Sequence, residues 1–168
     1  MHIHELTKKE SLETLTRLKF GRLGCSRDNQ PYIVPVYFAC HDRHLYSVAL
    51  LGQKIEWMRA NPLVSLEAEE IVDHYHWTSV VVQGRYEELL DTPERRERTL
   101  AHELLQDRPL WWQPALVPIA AHVVAPKEST SVYYRIHIDQ VSGRRAQPNS
   151  VEAVTLRDRA RTPRSADG

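Results

Sequence analysis

Pro35 stands in the middle of the most strand-like run of the chain, Tyr32-Ile33-Val34-Pro35-Val36-Tyr37-Phe38-Ala39-Cys40. β-branched and aromatic residues favour a pleated strand there. A proline offers the ladder no amide hydrogen, so that position must be an edge, a bulge or a break in pairing. Short polar turns flank the run. Arg27-Asp28-Asn29-Gln30 separates it from a strand over residues 20–26, and His41-Asp42-Arg43 from a returning strand over 44–48. Strands joined by so few residues pair antiparallel, because a parallel crossover needs a dozen or more.

The remaining elements fit the same architecture. Thr7 and Glu10 form a capping box that opens a helix over 7–18, with Leu12, Leu15 and Leu18 at helical spacing. Ile55, Met58 and Arg59 share one face of a second helix, which Asn61-Pro62 stops. Val64, Leu66 and Ala68 alternate with Ser65, Glu67 and Glu69, the pattern of a half-exposed strand. Residues 77–89 read as a long strand and 132–141 as the last one. Between them Asp91-Thr92-Pro93 opens a helix whose buried stripe is Leu100, Ala101, Leu104 and Leu105. A loop over 108–127 carries Trp111-Trp112. About six antiparallel strands with two or three helices outside them predict a mainly β, α+β fold, a closed or nearly closed barrel. One domain over residues 1–146 accounts for this pattern. The polar, arginine-rich stretch 147–168 reads as a flexible C-terminal tail.

Charge narrows the function. Of 168 residues, 22 are Lys or Arg and 22 Asp or Glu, so the net charge is zero and no nucleic-acid footprint is expected. No apolar run approaches the roughly 18 residues of a membrane span. The start, Met1-His2-Ile3-His4-Glu5-Leu6, lacks the apolar core of a signal peptide, and two cysteines make no disulfide framework. A cytoplasmic protein is expected.

The sharpest candidate site is Gly52-Gln53-Lys54, where a strand gives way to a helix. The first helical amides have no partner within the helix, and the dipole makes that end positive. Gly52 permits close approach, Gln53 adds amide donors and Lys54 a full charge, a combination that suits a phosphate. Nine histidines include the pairs His2/His4, His41/His44 and His74/His76. No cysteine pair or helical H-E-x-x-H accompanies them, so turn histidines are expected in place of a metal site. His74 and His76 precede the strand at Trp77 and could lie near a pocket mouth. No nucleophile–histidine–acid spacing suggests hydrolysis.

Taken in order, Val34-Pro35-Val36-Tyr37, Leu45-Tyr46-Ser47, Gly52-Gln53-Lys54-Ile55-x-x-Met58-Arg59-x-Asn61-Pro62, Trp77-x-Ser79-Val80-Val81-Val82-x-Gly84 and Tyr134-Arg135-Ile136-His137-Ile138-Asp139-x-Val141-x-Gly143-Arg144 carry a resemblance. The chain resembles the pyridoxamine 5′-phosphate oxidase-like superfamily of FMN-binding split barrels. It is most similar to the small branch that includes nitroimidazole-resistance proteins. The resemblance spans about residues 6–146. It implies a six-stranded antiparallel split β-barrel with flanking helices and a homodimer with two FMN molecules at the subunit interface. It also implies that the backbone of Val34, Pro35, Val36 and Tyr37 faces the flavin ring, and that Lys54, beside Gly52 and Gln53, contacts the phosphate. Tyr46, Ser47, Trp77 and Ser79 would line the cofactor site. Relatives commonly place serine or threonine before the lysine, where this chain has Val48-Ala49-Leu50-Leu51, and often arginine where it has Gln53. The implied activity is electron transfer between FMN and a small organic substrate, with reduced nicotinamide as donor. The alternatives are a non-catalytic flavin- or haem-binding storage or sensor protein, and a split-barrel enzyme that uses a deazaflavin.

Overall fold

A computed structural model describes residues 1–90, 96–106 and 131–148. The elements run β1 (His2–Leu6), α1 (Lys8–Arg17), β2 (Phe20–Arg27), β3 (Gln30–Tyr37), β4 (Ala39–His41), β5 (His44–Leu50), α2 (Gln53–Ala60), β6 (Leu63–Ile71), β7 (Trp77–Glu88), α3 (Arg96–Leu105) and β8 (Ser131–Gln147). All described strands join one antiparallel sheet in the order β3-β2-β6-β7-β8-β5-β4, with β1 paired to β8. The split-barrel α+β fold expected from the sequence is therefore present, with eight strands where six are expected.

The two extra strands have physical causes. Phe38 is almost fully buried, and its amide donates to the Lys19 carbonyl, so the run at 32–40 breaks there into β3 and β4. β1 carries only one buried residue, Leu6, and so has no apolar alternation to read. β8 reaches Gln147, beyond the expected end at 141. Its second half lies between β1 and β7, where Gly143 leaves room for the side chains of Ser11 in α1 and Leu6 in β1, which any Cβ there would meet.

Pro35 lies on an edge strand, paired through β2 alone among the described strands. β3 ends at Tyr37 and β4 begins at Ala39, yet these strands stand at opposite ends of the sheet order. The sheet must therefore curl until its ends meet at Phe38. No ladder joins β3 to β5 among the described residues; a single side-chain bond, from Ser47 Oγ to the Tyr37 carbonyl at 2.8 Å, spans that seam. Inside the curl, Leu15, Leu23, Leu45, Ile55, Met58, Leu66, Val80, Val82, Tyr134 and Ile136 form the main core. The capping box holds α1 over one end: Thr7 N–H donates to Glu10 Oε2 at 2.8 Å, and Glu10 N–H donates to Thr7 Oγ1 at 3.3 Å. α3 packs outside the barrel, with Ala101 and Leu105 against Ala39, Tyr46 and Leu89. Its expected start at Asp91-Thr92-Pro93, the pair Trp111-Trp112 and nearly all of the expected tail lie outside the described residues.

Candidate functional site

The site is built where β5 passes through Leu51-Gly52 into α2. Gly52 has an extended backbone (φ 177°) and caps α2 without a side chain. The first intrahelical bond runs from Glu56 N–H to the Gly52 carbonyl at 3.1 Å, which leaves the amides of Gln53, Lys54 and Ile55 without helical partners. α2 is held firmly. Ile55 and Met58 are fully buried, and the Trp57 ring lies 5.5 Å from that of Tyr32. Asn61 Nδ2 donates to the Ser26 carbonyl and hydroxyl, both at 3.1 Å. Arg59 grips Glu88 with two bonds of 2.7 Å, and Tyr86 donates to the same carboxylate at 3.0 Å.

Lys54 is half-buried, and burial holds its pKa below the ordinary lysine value. Its recorded electrostatic neighbour is the thiol of Cys25, itself pushed up by burial. Among the described residues no carboxylate or carbonyl accepts a hydrogen bond from its ammonium. A Cβ added to Gly52 would meet nothing within 4 Å, and an extended φ suits any residue. The space over this glycine is open, and a partly desolvated cation with no partner among the described residues stands two residues on. Those are the features an anionic group needs at a helix start.

Across the seam, Ser47 faces the barrel interior beside Tyr134, whose buried hydroxyl is pushed up to about 12. Val36 is buried and Val34 half-buried against the core, whereas Pro35 is exposed on the other face of β3. Tyr37 packs edge-on against Phe20 at 5.2 Å. One chain thus joins the β3 edge at Tyr37 to Ser47 and sets Lys54 beside Cys25 on β2, the strand paired to β3. It does not bring in the other expected residues. Tyr46 adjoins Ser47 in sequence but points to the opposite face, as alternation requires, and is buried under α3. Trp77 and Ser79 lie at the other end of the barrel. Trp77 pairs with Ile71 and Ala146, and Ser79 Oγ donates to Glu67 Oε1 at 3.4 Å. By register Ser79 is five residue rows from Cys25, about 17 Å along the strands.

The expected site residues omit Cys25 and Tyr134, although both point toward the same interior. Their inward position was legible from alternation along β2 and β8; their nearness to Lys54 and Ser47 was not. His76 is tied to Asp73 in the hairpin before Trp77, and His44 to His137 outside the barrel. No group of three metal-ligating side chains is poised to share an ion among the described residues.

The sequence model of the pyridoxamine 5′-phosphate oxidase family matches residues 7–145, nearly the whole described fold. The chain belongs to that family. An uncharacterised protein of Rhizobium meliloti is 38% identical to it over 148 residues, covering 87% of this chain and 97% of its own. The crystal structure of an FAD-binding protein from Mesorhizobium loti is 42% identical, with a TM-score of 0.73, over 88% of this chain and 99% of its own. An FAD-binding protein from Mycobacterium smegmatis, 23% identical with a TM-score of 0.60, shares the fold over 86% of this chain and 98% of its own. The family assignment agrees with the resemblance read from the ordered segments between Val34 and Arg144. No helix among the described residues is long and apolar enough to cross a membrane.

Proposed function

We propose that this member of the family is a flavin-dependent oxidoreductase whose cofactor lies along the β3 edge, with its phosphate at Gly52–Lys54. The observation that carries this reading is the half-buried Lys54 ammonium, without a partner among the described residues, beside a glycine with open space above it. FMN, the cofactor expected from the sequence, and FAD, named for the Mesorhizobium loti relative, share the ring, the ribityl chain and the first phosphate. Lys54 and the free α2 amides would hold that shared phosphate. The free edge of β3, with no amide hydrogen at Pro35, would orient the ring. A bound flavin supplies hydride and electron transfer; the chain supplies placement and exclusion of water. Trp77 and Ser79 lie at the other end of the barrel from the Lys54 turn. A homodimer in which the partner contributes that end of the barrel accounts for them.

Titration of the apoprotein with FMN and FAD, followed by flavin fluorescence, tests the reading. We expect binding of at least one flavin and a loss of ten-fold or more in Lys54→Met, as removal of a charge-assisted contact of about 1.5–3 kcal/mol requires. Equal affinity in the two proteins, or no binding, refutes it. Sedimentation of the flavin-loaded protein as a monomer refutes the shared site.

A second reading, a flavin-binding store or sensor, draws support from the lining. Val34, Pro35, Val36 and residues 48–51 carry no group that exchanges protons near neutral pH. Bleaching of the bound flavin by NADH or NADPH supports the enzyme; a spectrum that no reductant of this class changes supports the store.

A further inference from the structure

The register of β3 decides which backbone groups its free edge offers. Phe38 N–H donates to the Lys19 carbonyl at 2.9 Å, so residues 38 and 19 form a hydrogen-bonded pair. In an antiparallel ladder such pairs alternate with pairs that share no bond. Continued along the register, Val36 and Val34 turn their N–H and C=O groups toward Gly21 and Leu23 of β2, while Tyr37, Pro35 and Ile33 turn theirs away from it. Proline fits at 35 for that reason: the amide hydrogen it lacks would have pointed away from the partner strand.

No described strand pairs with that side of β3. Over residues 34–37 the edge therefore carries three outward-turned groups: the Pro35 carbonyl, the Tyr37 N–H and the Tyr37 carbonyl. One of them is taken. Ser47 Oγ donates to the Tyr37 carbonyl at 2.8 Å. Ser47 is 3% exposed, and its inward-facing neighbours on β5, Leu45 and Ala49, belong to the main core. A buried hydroxyl left without a partner costs about 1–3 kcal/mol, a cost that alanine would not bring, so packing alone gives no reason for serine here. What the hydroxyl does is local to the edge. It withdraws one acceptor and leaves, among the described residues, one donor at Tyr37 and one acceptor at Pro35. The pyrimidine rim of a flavin carries one N–H between two carbonyls, and reduction adds negative charge to that rim. A donor facing developing charge favours the reduced form; a free carbonyl facing it opposes reduction.

We propose that Ser47 is a positioning residue for the flavin: by holding the Tyr37 carbonyl away from the ring, it leaves the β3 edge richer in donors and raises the reduction potential of the bound cofactor. The inference rests on the flavin reading above, and one set of measurements separates their failures. Oxidised and reduced flavin are titrated anaerobically into the parent, Ser47→Ala and Ser47→Thr, and the midpoint potential of each loaded protein is read against a reference dye. Ser47→Ala should bind oxidised flavin as tightly as the parent and reduced flavin about ten-fold more weakly, which for a two-electron couple is a fall of about 30 mV. Ser47→Thr, which keeps the hydroxyl, should hold the parent's potential. A potential in Ser47→Ala equal to or above the parent's, oxidised and reduced forms weakened alike, or a threonine variant that falls as far as alanine overturns the inference while the flavin reading stands, because Ser47 would then only close the seam. Should Ser47→Ala not fold, Ser47→Cys keeps the volume and offers a poorer donor. Its potential should fall in the same direction, and one equal to or above the parent's overturns the inference. A parent that binds neither FMN nor FAD removes the flavin reading, and this inference with it.

Discussion

Replacing Lys54 by methionine should stabilise the ligand-free protein while weakening its hold on flavin. The ammonium is half-buried, and no described acceptor meets it. Methionine keeps the length of the stem and removes the charge. A partly desolvated polar group left without a partner costs about 1 kcal/mol at the low end of the usual range. Relief of that cost raises the melting temperature of a domain of this size by about 2–4 °C. The pH dependence has a defined sign. Because the folded pKa lies below the unfolded one, the cost is fully present below the folded value and is relieved as pH rises toward the unfolded value near 10.4. The parent should therefore gain stability relative to Lys54→Met on going from pH 7 to alkaline pH. Urea denaturation at several pH values, without ligand, measures this; flavin titration of the same samples measures the loss of binding. A methionine variant that melts lower than the parent and binds flavin equally well would refute the reasoning, because the lysine would then be a structural residue with a satisfied charge.

Five other substitutions test the geometry. Gly84→Ala places a Cβ 2.1 Å from the His137 carbonyl at the β7–β8 bulge, and should cost more than about 3 kcal/mol or prevent folding; Gly52→Ala, with nothing within 4 Å, should change stability by less than about 0.5 kcal/mol in thermal melts. The His44 pKa is held down by burial first, then by His137 and Arg135. The unfolded chain therefore takes up that proton first, and stability falls as pH drops below about 6.5; His44→Gln should flatten this fall in urea titrations between pH 7 and 5. Leu50→Thr should strengthen flavin binding several-fold by supplying a hydroxyl before Lys54, whereas Ala49→Thr should mainly destabilise, because Ala49 is buried in the core; unchanged affinity in Leu50→Thr would dismiss the missing hydroxyl as a factor.

Much of the fold was legible because it rests on local rules. Pro35 narrowed its position to an edge, a bulge or a break, of which the structure has the edge; the Thr7–Glu10 box located a helix start, and alternation at 64–69 located β6 with its faces correctly assigned. The rest was set by contacts distant in sequence. β1 is a strand only because residues 143–147 of β8 offer it a ladder, and nothing in His2–Leu6 announces that. The break at Phe38 arises because both ends of one curled sheet must meet there. The phosphate turn could be read from Gly52 and Lys54, since a helix start is a local object. The full lining could not. Tyr46 and Ser47 stand on opposite faces, and the rows of Cys25, the neighbour of Lys54, and of Ser79 are separated along the barrel by a register that no single segment encodes.

β8 pairs with β1, β5 and β7. Of the described elements it is also the last to leave the ribosome. Until then a nascent chain carries three strands with unmatched backbone, one of them near its first residue. Such open edges invite pairing with neighbouring chains. Synthesis of this protein therefore passes through an interval of greatest exposure just before residue 131, and a chaperone that shields strand edges would matter most in that interval.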